Sequence, residues 1–164
     1  MFTIKVKTIN KNPDGIKNLI KRAQEISKKR VAVGFPRGRL NSPHYEGDGN
    51  KPGPSIIDVA IINNFGLGVP RRDFMTPATE KWKEFCEETA NAFKEDIISG
   101  KINIDDVLNV MGQKGADIIS DEIIALKEPP NSPVTIERKK SSNPLVDTGD
   151  MSKATMHEIR TIEK

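Results

Sequence analysis

The chain has 164 residues, a formal net charge of +3, 30% charged and 35% hydrophobic residues, and a single cysteine, Cys86. That is enough chain and enough apolar character to bury a core without staples, and one cysteine excludes an internal disulfide framework and a Cys-cluster zinc site. No apolar run approaches the roughly 18 residues of a membrane helix and no signal-peptide core follows Met1, so a protein of the reducing cytoplasm with no membrane contact is expected.

The small net charge hides an uneven distribution. Residues 1–39 carry 11 Lys/Arg against 2 Asp/Glu, whereas residues 76–126 carry 5 against 11. Opposite blocks of this kind suit contact between complementary surfaces better than coating of DNA, although solvated helix faces produce the same pattern.

In chain order, Phe2, Ile4, Val6 and Thr8 alternate with Lys5 and Lys7, predicting a half-buried strand over 2–9. Asn12-Pro13 opens a helix with an apolar stripe of Ile16, Leu19, Ile20, Ala23 and Ile26, its lysines facing water. A short strand over 31–35 ends at Gly34-Phe35-Pro36. Residues 36–54, rich in Gly and Pro and without period, read as a flexible surface loop. Ser55 caps a short helix that Gly66 terminates, and Pro70 holds 69–74 extended.

Thr76-Pro77 opens the clearest helix, with Ala78, Trp82, Phe85, Thr89 and Ile97 at helical spacing until Gly100 stops it. Asn103 caps a second long helix running to Leu126, in which Gly112 and Gly115 either loosen the first half or seat it tightly against a neighbour. The prolines at 129, 130 and 133 predict an extended arm over 129–146 with a brief strand at 134–137. Asp147-Thr148-Gly149 is a turn, and a last strand is predicted over 154–162. The expected fold is α+β: one domain over 1–164, with a small mixed or antiparallel sheet from 2–9, 31–35, 134–137 and 154–162, packed on one side by helices.

Chemistry-bearing motifs are sparse. Asp147-Thr148-Gly149 spells the catalytic tripeptide of aspartic proteases, but those all-β enzymes need most of a domain after it, and only 15 residues follow Gly149. His44 beside Glu46 and Asp48 lacks a second ligand at metal spacing, His157 has no evident partner, and Cys86 falls near an apolar stripe as a small core residue. No Walker loop, dinucleotide fingerprint or Gly-x-Ser-x-Gly elbow occurs, so neither enzymatic activity nor a cofactor is expected. The basic N-terminal third lacks interleaved exposed aromatics, which leaves a nucleic-acid-binding module as the rival reading.

Three segments, taken in order, carry a resemblance. They are Val33-Gly34-Phe35-Pro36; the helix Val59-Ala60-Ile61-Ile62-Asn63-Asn64-Phe65-Gly66 followed by Val69-Pro70-Arg71-Arg72-Asp73-Phe74; and Pro129-Pro130-Asn131-Ser132-Pro133-Val134-Thr135-Ile136, leading through Lys139-Lys140 to Asn143-Pro144-Leu145-Val146-Asp147-Thr148-Gly149. Over about 31–152 the chain resembles the neck and tail-completion (virion morphogenesis, head–tail joining) proteins of long-tailed bacteriophages and prophages. Those run from a helix ending in Glu-Phe-Gly to Pro-x-Arg-x-Phe, a helical pair, Pro-Pro-Asn, and Pro-Leu-x-Asp-Thr-Gly. Asn64 stands where the family often has Glu, and Asp73 where Pro is common.

The resemblance implies a structural virion protein, assembled in the host bacterial cytoplasm. It would form a ring, expected to be hexameric, that joins the tail to the head connector and leaves a lumen for genomic DNA without sequence specificity. Neighbouring neck, connector, tail-tube or terminator proteins are the implied partners, and a tail terminator or another connector layer is the alternative. Candidate interface residues are Arg37, Arg39 and Tyr45 in the loop; Arg71 and Arg72 as forked donors, with Phe74 anchoring into the core or a neighbour; and Pro130, Arg138, Lys139 and Lys140 on the Pro-rich arm.

Overall fold

The computed structural model describes residues 13–35 and 53–162. The strand expected over 2–9 and almost all of the 36–54 loop lie outside them. In chain order the elements are α1 (Pro13–Ser27), β1 (Lys29–Gly34), α2 (Ile56–Phe65), α3 (Met75–Ser99), α4 (Ile104–Ala125), α5 (Pro133–Lys139), α6 (Asp150–Lys153) and β2 (Met156–Thr161). The class is α+β as expected, with helices packed on a small antiparallel sheet. Among the described residues that sheet is β1 and β2 alone, in register from Lys29 opposite Thr161 to Gly34 opposite Met156.

Local chemistry explains most boundaries. Ser55 forms a full capping box, its hydroxyl accepting from the Asp58 N–H while the Asp58 carboxylate accepts from the Ser55 N–H. The hydroxyl and backbone bonds from Ser55 also hold the Asp58 carboxyl below its usual range. Gly66 and Gly100 close α2 and α3 in the left-handed conformation. Asn103 caps α4 by accepting from the Asp105 N–H at 3.0 Å.

Two expectations are corrected. Residues 134–137 form part of α5, not a strand. Pro133 occupies the first turn, where its fixed φ favours a helix and its missing N–H costs nothing, and the Ser132 hydroxyl caps the Thr135 N–H. Proline was read as a breaker where it acts as a starter. The 129–146 segment also does not project as an extended arm, because it folds back onto the end of α2. On α1, Ile16, Leu19 and Ile20 are exposed and Ile26 is half-buried, so among the described residues most of the predicted stripe is not packed into the core.

α3 and α4 pack along one another as the expected helical pair, and α4 also covers the sheet. The core joins Ala60, Phe74, Ala78, Ile118, Ile119, Ile123, Leu145 and Met151, with Phe35 and Trp82 packed against it. The α4 glycines are contact points. A Cβ on Gly112 would lie 2.4 Å from the His157 ring, and one on Gly115 would lie 2.8 Å from Trp82 Nε1. Tight seating is therefore the reason for both glycines. His157, whose partner the sequence did not reveal, bonds Asn109 at 3.2 Å through Nε2.

Trp82 Nε1 donates to the Met111 carbonyl at 2.8 Å, so its ring has little freedom to retreat. In Gly115→Ala, a helix-propensity gain of about 1 kcal/mol opposes an overpacking cost of about 1–3 kcal/mol and strain on that bond. The expected net loss is about 1–2 kcal/mol in urea unfolding followed by Trp82 fluorescence. A stabilised variant would show that the ring yields freely.

Candidate functional site

The second and third of the resembling segments meet in space around Arg72. α2 ends at Gly66, where φ is +72° and an added Cβ would strike Arg71 at 2.9 Å, so both conformation and space call for glycine. The chain then doubles back beside α2, and the Arg72 N–H donates to the Asn63 carbonyl at 2.8 Å. This turn sends the Arg72 side chain inward, where the residue is 6% exposed.

Every guanidinium nitrogen of Arg72 is engaged. Nε donates to the Pro129 carbonyl at 3.1 Å and Nη1 to Asn63 Oδ1 at 2.9 Å. Nη2 donates to the Pro130 carbonyl at 3.3 Å and to Asn131 Oδ1 at 3.1 Å. All four acceptors are neutral. Burial lowers the pKa of Arg72, yet a guanidinium remains charged at any ordinary pH. Asn131 Nδ2 in turn donates to the Asn143 carbonyl at 3.1 Å, and Asn143 Nδ2 to the Ile124 carbonyl at 2.8 Å. Asn143 Oδ1 accepts the Leu145 and Val146 N–H groups, an Asx turn that starts the 143–149 stretch.

Asn64 and Asp73 both serve the start of α3. The buried Asn64 accepts the Met75 N–H through Oδ1 at 3.1 Å. Asp73 accepts the Thr76 N–H at 3.0 Å and pairs with Arg71. The Thr76 backbone bond is the main reason the Asp73 carboxyl lies below its usual range.

The candidate interface residues separate accordingly. Phe74 is 1% exposed and anchors the core, its ring edge-on to Phe35 at 6.3 Å. Arg72 is a buried clamp within the chain, with all four of its side-chain hydrogen bonds made to the chain's own acceptors. Arg71 is exposed but tied to Asp73. Pro130, Arg138 and Lys140 are exposed, while Lys139 is half-buried and donates to the Pro144 carbonyl at 3.3 Å. Burial lowers the Lys139 pKa, against the opposing charge of Asp147. Arg37, Arg39 and Tyr45 lie outside the described residues.

Two hollows flank this region. A cleft of about 610 Å³ opens between α2, α5 and the 144–151 turn, with Arg72 among its lining residues. A smaller groove of about 350 Å³ is almost wholly apolar; Val33 and Phe35 meet Ile57, Ile61, Phe65 and Met75 there. Sequence reasoning missed both, along with the Asn63, Asn131 and Asn143 network, for which the Pro-Pro-Asn and Asn-Pro runs were the only signal.

Chemistry elsewhere is limited. Burial pushes the half-buried Cys86 thiol up, away from the thiolate a nucleophile needs. Gly149, at φ +79°, begins α6 directly after Asp147 and Thr148. Among the described residues no group of three His, Cys, Asp or Glu side chains could hold a metal, and no helix is long and apolar enough to cross a membrane. Compared with known proteins, the chain matches no family model, no curated protein and no solved structure.

Proposed function

We propose that this chain is a structural subunit of a tailed-bacteriophage neck, a tail-completion protein whose copies form a ring between the tail and the head connector. The observation that carries the assembly role is the exposed apolar surface at the end of α2. There Phe65 is 63% exposed and Leu67 57% exposed, beside Ile61, Val69 and the apolar groove. Apolar surface concentrated in one place, next to polar faces, is how interaction sites differ from scattered exposed residues. The order of the resembling segments supplies the identity.

A second exposed apolar stripe, on α1, lies in a different part of the chain and is bordered by Lys17 and Lys21. Two unlike patches on one subunit suit head-to-tail contacts between copies, which close into rings. The subunit's work would then be fitting and sealing, with a lumen left for DNA.

Electron microscopy of particles made without the protein tests this reading. Filled heads separated from finished tails are expected. Tails of aberrant length would move the protein to the terminator position, and intact infectious particles would overturn the proposal.

A further inference from the structure

The cleft beside Arg72 has a chemistry of its own. Buried Leu145 and Met151 and half-buried Val59 supply an apolar part of its lining. α5 contributes Arg138 and Lys139 and the chain after α2 contributes Arg72, so three cations line one cleft against two carboxylates. The two carboxylates of the lining, Asp147 and Asp150, are already occupied. Asp147 acts on the Lys139 ammonium, and Asp150 accepts the Thr148 hydroxyl. The four hydrogen bonds that Arg72 makes among the described residues all go to neutral oxygens. Arg138 is exposed, with a fork suited to a carboxylate.

A volume of about 610 Å³ lies within the ordinary range for binding clefts. A positive balance beside an apolar lining selects an occupant with a carboxylate next to an aliphatic group. We infer that this cleft is a docking site for an acidic peptide segment of a partner protein, an Asp or Glu meeting Arg138 while a neighbouring apolar side chain enters between Val59, Leu145 and Met151. This assignment rests on the cleft itself and not on the neck reading, so either can fail without the other.

The test uses the full chain against a random peptide library displayed on yeast, followed by synthesis of the enriched peptides. Enrichment of Asp or Glu beside an aliphatic residue is expected, with methyl NMR shifts at Val59, Leu145 and Met151. Arg138→Glu, at an exposed site, should keep the circular dichroism spectrum and weaken those peptides by about tenfold or more. Replacing the peptide's carboxylate by its amide should do the same. Absence of enrichment, enriched peptides without acidic residues, methyl shifts confined to another face, or unchanged affinity in Arg138→Glu would each overturn the assignment.

Discussion

Arg72→Ala is expected to lower the unfolding free energy by about 3–5 kcal/mol, read as a shift of the urea midpoint at constant slope. The change removes a side chain that serves four acceptors at once and leaves the Pro129 and Pro130 carbonyls and two amide oxygens to find other donors in a confined space. Each hydrogen bond to a charged group contributes about 1.5–3 kcal/mol, and shared losses of this kind do not add fully. Arg72→Lys separates charge from geometry. A lysine keeps the charge but cannot reach acceptors on two segments with a planar fork, so it should recover only a minor part of the loss. Full recovery would mean that charge alone holds the 129–131 segment against α2.

Phe74→Ala should cost a similar amount, about 3–5 kcal/mol, for a different reason. The ring is 1% exposed and stands at the meeting point of α2, α3 and the core residues Ile118, Ile119 and Ile123. Truncation empties that volume and takes away the edge-on contact with Phe35. Phe74→Leu keeps much of the volume and should lose markedly less. The two sites also predict different fluorescence. Phe74→Ala should loosen the α3–α4 pair and broaden Trp82 emission in the native state, whereas Arg72→Ala should leave Trp82 native-like. Equal small effects from both Phe74 variants would place the ring outside the cooperative core.

What could be read from the sequence follows the range of the interactions involved. Ser55, Gly66, Gly100 and Asn103 act on backbone groups within a few residues, and the helix ends they predict are the ones observed. The strands at 29–34 and 156–161 fall within or beside the predicted ranges because their alternation is equally local. α5 was misread because the same proline that breaks a helix interior favours its first turn, and Ser132 was the overlooked signal. The exposure of Ile16, Leu19 and Ile20 depends on what lies opposite α1, which no periodicity encodes. The Arg72 knot was hidden most completely, since its acceptors at 129–131 are 57–59 positions away in sequence. A dibasic pair next to a proline reads as surface until those carbonyls are in place.

The Arg72 knot has one more property. Its donor is a guanidinium, which keeps its proton under any condition in which proteins stay folded, and its acceptors are carbonyl and amide oxygens, which have none to gain. The four bonds that join Asn63 to the 129–131 segment through Arg72 therefore contain no titrating member. Acid would reach the fold through groups such as the caps at Asp58 and Asp73, whose contribution is lost only as the pH of the medium falls below the usual carboxylate range, and not through these bonds.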